Sequence, residues 1–138
     1  AEGAPDVEVV DLSESWGMIA LQGPKSALVL NRLFGGDFGL TGYYRFVKLK
    51  DTLASETIIS TTGYTGEAGY EIYLPSEHLV RAWETLMAVA PEADVKPVGL
   101  GARDSLRLEA AMPLYGHELS DETTPLCAGL GKFVDLEK

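Results

Sequence analysis

At 138 residues with 46% hydrophobic side chains, the chain carries enough apolar material for the core of one ordinary domain. Its formal net charge of −10 opposes phosphate backbones and anionic lipid surfaces, which are held by clustered Lys and Arg, so neither nucleic acid nor membrane is expected as a partner. No apolar run approaches the roughly 20 residues of a membrane span, residues 1–6 lack the basic start and apolar stretch of a secretory leader, and a single cysteine with His78 and His117 gives neither a disulfide nor a metal-ligand spacing; a soluble, cytoplasmic, metal-free protein is expected.

Trp16 to Leu21 is a short apolar run that predicts a strand, closed by Gln22-Gly23-Pro24. Pro24 suits the first turn of a helix, where its missing N–H is not needed. That helix runs through Ala27, Leu30, Leu33 and Phe34 to a left-handed stop at Gly35-Gly36. Asp37-Phe38-Gly39 spells a kinase magnesium motif without the loops that motif requires, and reads as a turn. Tyr43 to Leu49, Glu56 to Thr61 and Gly69 to Leu74 are rich in aromatic and β-branched residues and predict three strands, with a tight turn at Gly63-Tyr64-Thr65-Gly66 before the last. Ser76 has the character of an N-cap, and Leu79, Trp83, Leu86 and Ala90 recur at helical spacing, which predicts an amphipathic helix over 77–90 with that stripe in the core. Pro91 to Pro97 is a loop or short strand, and Gly99 to Met112 a further helix stopped by Pro113. The pattern indicates an α+β fold around a mainly antiparallel sheet, with an α+β region over 1–112 and an extended tail over 113–138.

On a wheel at about 100° per residue, Leu106, Ala110, Leu100, Ala111 and Leu108 of the last helix sweep one wide apolar arc, which is expected to be buried. Arg103, Asp104 and Arg107 fall inside that arc. Unpaired charge taken out of water is costly, so each of the three needs a partner. Arg107 reaches Asp104 at the i, i+3 spacing; Arg103 is left needing an anion. Alternation along the strand before it puts Ala68, Tyr70, Ile72 and Leu74 on one face and Gly69, Glu71 and Tyr73 on the other. Two readings stand for Glu71 and Arg103: an ion pair tying strand to helix, or contacts to a ligand in a polar pocket walled by aromatic rings. A carboxylate matches a planar ring bearing adjacent N–H donors, and a guanidinium matches a carboxylate or carbonyl.

Weaker patterns carry less. Gly99-Leu100-Gly101 starts like a dinucleotide loop but has Asp104 where the third glycine belongs. There is no Gly-x-Ser-x-Gly elbow, and the lone Cys127 reads as a small packing residue rather than a nucleophile. His78 and His117 read as surface groups.

The run Gly63-Tyr64-Thr65-Gly66-Glu67-Ala68-Gly69-Tyr70-Glu71-Ile72-Tyr73 resembles the signature of the T-protein aminomethyltransferases of the glycine cleavage system. So do Gly99-Leu100-Gly101-Ala102-Arg103-Asp104-Ser105-Leu106-Arg107-Leu108-Glu109-Ala110, its continuation from Met112 to Leu119, Thr124-Pro125-Leu126, and Leu21-Gln22-Gly23-Pro24-Lys25. The likeness implies part of the family's folate-binding fold, with tetrahydrofolate contacted by Glu71 and Arg103 and with Tyr64 and Tyr73 as ring neighbours. It implies one-carbon transfer from an aminomethyl group on the lipoyl arm of a carrier protein, the H-protein, to tetrahydrofolate, with release of ammonia. Alternatives in the same superfamily are a noncatalytic folate-binding regulatory module and a folate-dependent demethylase. The family's catalytic aspartate belongs to an N-terminal segment with no counterpart here, and the C-terminal barrel has none either, so no catalytic residue is assigned. Little transferase activity is expected of this chain alone, and self-association through uncovered sheet edges and apolar surface is expected. Ala68, Cys127 and Lys132 stand where the family usually has an acidic residue, Glu and an aromatic.

Overall fold

Alternating burial organises the strands. In β1 (Trp16–Gln22), Ile19 and Leu21 are buried while Met18 and Ala20 are exposed, and in β4 (Gly69–Pro75) Ile72 and Leu74 are buried while Glu71 and Tyr73 are not. With β2 (Phe46–Leu49) and β3 (Thr57–Ser60) they form a four-stranded, wholly antiparallel sheet in the order β1-β4-β3-β2. Register then aligns Ile19, Ile72, Ile59 and Val47 as one inward row across all four strands. The expected α+β class and antiparallel sheet are what the chain adopts. These features come from a computed structural model that describes residues 7–36, 42–50 and 53–137; the Asp37-Phe38-Gly39 turn and residues 1–6 lie outside them.

Helices α1 (Ser26–Phe34) and α2 (Leu79–Val89) cover the inward face, α1 against β4 and α2 against β1, and they touch each other. Gly35 ends α1 in the left-handed conformation the sequence predicts, with φ 76° and its N–H on the Asn31 carbonyl. Gly17 is required by packing: a Cβ there would collide with Leu79 Cδ1, which lies directly on the β1 backbone.

Two expectations for α2 change. Trp83 is 43% exposed and Ala82 is buried in its place, because the face that meets the sheet runs Leu79, Ala82, Leu86, Ala90 and a small residue lets the helix approach closely. Ser76 caps nothing with its side chain; its hydroxyl donates to the Glu14 carbonyl and its N–H to that of Ser15, which ties the entry of the helix to the segment before β1.

The chain divides into two compact units, Ala1–Gly63 with Ala68–Lys96 and Tyr64–Glu67 with Pro97–Lys138. The second holds α3 (Leu100–Glu109), shorter than the helix expected to reach Met112. Ala111 turns left-handed at φ 55°, and the N–H of Met112 closes back on the Arg107 carbonyl, so the helix ends before Pro113 is reached. Residues 113–137, read from sequence as an extended tail, form successive turns, a Tyr115–Leu119 bridge and a 3-10 turn at Gly131–Phe133.

Candidate functional site

In the first unit the sheet face away from the helices is open. Register places Ala20, Glu71, Ser60 and Phe46 in one row on it, and Met18, Tyr73, Ile58 and Lys48 in the next. Glu71 stands at the middle of this face, half-buried on the central strand, with small neighbours at Ala20 across the ladder and Gly69 along its own strand. Both the Thr62 hydroxyl and the Tyr73 hydroxyl, the latter at 2.9 Å, donate to Glu71 Oε2. Ser60 Oγ is 2.6 Å from Thr62 Oγ1; since the one hydroxyl hydrogen of Thr62 goes to Glu71, Ser60 is the donor in that contact. Burial raises the pKa of Tyr73 above its ordinary value, and the hydrogen bond to Glu71 and its negative charge add to the rise. A shallow depression of about 420 Å³ borders Tyr73, lined also by Leu12, Trp16 and Met18.

The glycines of the motif make room for Gln22. Its side-chain amide donates to the carbonyls of Thr62 at 3.2 Å and Tyr70 at 3.1 Å. A Cβ at Gly63 or at Gly69 would occupy the space of that amide. Gln22 thereby joins the backbone just before the turn to the backbone just before Glu71.

In the second unit, the Arg103 guanidinium lies 4.8 Å from the centre of the Tyr64 ring, a cation–π contact of the kind that holds a charge without a carboxylate. Gly66, at φ 76°, brings the turn against Ala110, whose Cβ would be 2.6 Å from a Cβ at that position. Of the residues singled out from sequence, Tyr73 is thus brought onto Glu71, and Tyr64 onto Arg103.

Of the arc that the wheel expected to be buried on α3, the leucines are exposed, and Arg107, one of the charges placed inside it, is buried. Leu100 is 83% and Leu108 60% exposed, whereas Arg107 is 2% exposed. Arg107 is buried because the chain after the helix folds back over it with acceptors. Its Nε donates to Asp104 Oδ1 at 2.7 Å and Nη2 lies 2.7 Å from the same oxygen, while Nη1 donates to the Met112 carbonyl at 3.2 Å and to Glu118 Oε2. Burial acts to lower the Arg107 pKa, but the hydrogen bonds and charges of Asp104 and Glu118 outweigh it and hold it above its ordinary value. The Asp104 partnership is the one expected; Glu118 is an addition. The network serves this unit's structure, since its donors are all engaged internally.

Glu118 has its pKa lowered from 4.5, first by the Leu114 N–H at 3.0 Å and then by Arg107. A carboxyl group whose pKa is lower folded than unfolded contributes stability that is present above its unfolded value and is lost as pH falls through the folded one. Acidification below about 4.5 is therefore expected to lower the protection of the Met112 and Leu114 amides against exchange, relative to the intrinsic rate at each pH. In Glu118→Gln that acid dependence should be flattened, and an unchanged pH profile in the variant would remove Glu118 from the linkage.

Ser60, Thr62 and Gln22 are polar groups of this site that sequence reasoning passed over. A signal existed: Ser60 and Thr62 are spaced by two at the end of β3, as Glu71 and Tyr73 are within β4. Cys127, read as a packing residue, is exposed, as is His117, while His78 lies 3.4 Å from Glu77. Among the described residues no three His, Cys, Asp or Glu side chains gather as metal ligands do, and no helix is long and apolar enough to cross a membrane.

Comparison with known proteins places these motifs in a wider set. The family model described as "GCVT N-terminal domain" matches residues 1–138. An aminomethyltransferase of Desulfitobacterium hafniense is 48% identical over 138 residues, covering 100% of this chain and 37% of its own length. One from Caldanaerobacter subterraneus subsp. tengcongensis is 43% identical over 136 residues, covering 99% of this chain and 36% of its own. Among solved structures, glycine cleavage system aminomethyltransferase T from Bartonella henselae is similar with a TM-score of 0.73 and 36% identity, over 88% of this chain and 31% of that one. The chain spans about 37% of the length of curated relatives such as the Desulfitobacterium protein.

Proposed function

Because this chain belongs to the GCVT N-terminal domain family, we propose that it contributes the folate-binding region of an aminomethyltransferase of the glycine cleavage system. The reaction is transfer of a one-carbon unit from an aminomethyl group on the lipoyl arm of a carrier protein, the H-protein, to tetrahydrofolate, with release of ammonia. The observation that carries this reading is Glu71, a carboxylate on the open sheet face with only the methyl of Ala20 opposite it across the ladder to β1.

The residues suit a reduced pterin. Oε2 of Glu71 is taken by hydroxyl donors, and among the described residues of its unit none donates to Oε1, which is left for the N–H groups of a planar ring. Tyr73 flanks that position with an aromatic wall. Arg103, steadied on Tyr64, keeps guanidinium donors for a carbonyl or carboxylate of the ligand. When bound, tetrahydrofolate supplies the amine nitrogens that take up the one-carbon unit; the protein groups named here bind and orient.

Isothermal titration of tetrahydrofolate into this protein tests the reading. Glu71→Gln keeps the shape but loses the charge, so at least about tenfold weaker binding is expected, the usual consequence of losing a charge-assisted hydrogen bond. Wild-type affinity in Glu71→Gln would take Glu71 out of the site.

A further inference from the structure

A carboxylate on an open sheet face has a freely turning terminal torsion, and binding through it forfeits that freedom unless the protein has already removed it. Glu71 is held. Its Oε2 receives hydroxyls from opposite directions in the chain, Thr62 from the β3 side and Tyr73 from two residues along β4. Thr62 is itself oriented, since Ser60, 9% exposed, donates to its oxygen and leaves its hydrogen only the carboxylate. The backbones bearing the two groups are joined as well, through the Gln22 amide on the Thr62 and Tyr70 carbonyls.

We propose that Thr62 and Tyr73 are positioning residues that clamp Glu71 through Oε2, so that Oε1 faces the open side as a fixed acceptor for the N–H donors of the pterin ring. The assignment rests on the folate reading above and deepens it. Ser60 stands behind Thr62 as the group that sets its hydroxyl, and Gln22 as the bridge that keeps Thr62 at its distance from β4. Tyr73 thereby has its hydroxyl committed to Glu71, which leaves its ring, not its oxygen, for the ligand.

The test compares wild type with Thr62→Val, Thr62→Ser and Glu71→Gln by tetrahydrofolate titration, and follows the Tyr73 phenol by ¹³C NMR across alkaline pH. Thr62→Val is expected to bind about tenfold more weakly, and Thr62→Ser, which keeps the hydroxyl, to recover to within about twofold of wild type. With no ligand present, the Tyr73 titration should move to higher pH in Thr62→Val, because Glu71 Oε2, no longer shared with the Thr62 hydroxyl, holds the phenol proton more tightly. Normal binding by Thr62→Val while Glu71→Gln is impaired would overturn the clamp and leave the folate reading standing, as would equal losses in the Val and Ser variants. If Glu71→Gln binds normally, or wild type does not bind, the folate reading fails instead. The phenol then decides on the clamp alone, and an unmoved Tyr73 titration in Thr62→Val overturns it.

Discussion

Leu74→Ala is expected to destabilise the sheet unit by about 3 kcal/mol, within the range for emptying a buried leucine site. Leu74 is 0% exposed on β4, the strand that pairs on both sides, and its partner across the ladder to β1 is Gly17. A glycine opposite has no side chain to move into the space, and the room above it is already held by Leu79. The site therefore collapses poorly, which is the circumstance that makes such a deletion expensive. Urea unfolding should show a lower midpoint at unchanged slope. Met18→Ala is the matched control on the opposite face of the sheet: Met18 is 47% exposed, and its removal should cost no more than about 0.5 kcal/mol. Equal losses for the two variants would contradict the assignment of inward and outward faces.

Arg107→Met should disorder the end of α3 and the chain that folds over it. The substitution keeps an unbranched side chain but leaves Asp104, Glu118 and the Met112 carbonyl without their donor, and stranding the partners of a buried ion pair is among the more damaging single changes. Amide exchange at Met112 and Leu114 is expected to quicken by roughly tenfold or more. Arg107→Lys should recover little of this, since an ammonium on a single stem lacks the planar fork that reaches a side chain on one side and a carbonyl and a carboxylate on the other. Wild-type protection at both amides in Arg107→Met would show that the network adds nothing to this unit.

Most of the secondary structure was legible because it is set by neighbours in the chain. β1 follows from a short apolar run, β3 and β4 from their β-branched and aromatic content, and Gly35 stops α1 by its own left-handed backbone. The errors occur where another element intervenes. Trp83 and Ala82 are both at acceptable helical spacing, and the sheet's closeness to α2 selected the small one. Ser76 has a capping hydroxyl that a carbonyl of the preceding segment took. On α3 the leucines of the arc stay exposed while Arg107, which lies within the same arc, is buried, because what folds back over it is a loop carrying acceptors rather than an apolar surface.

Local geometry sufficed for two site features: that Glu71 and Tyr73 share a strand face, and that Arg107 meets Asp104 one helical turn away. Both depend only on the period of a single element, which the order of residues specifies directly. Tertiary structure decided that Ser60 stands opposite Glu71, that Thr62 and Gln22 join it, and that Glu118 completes the Arg107 network. These contacts join segments that meet only after strand pairing and chain reversal, and strand register is fixed by burying one whole row of side chains against α1 and α2, a collective choice that no single motif encodes.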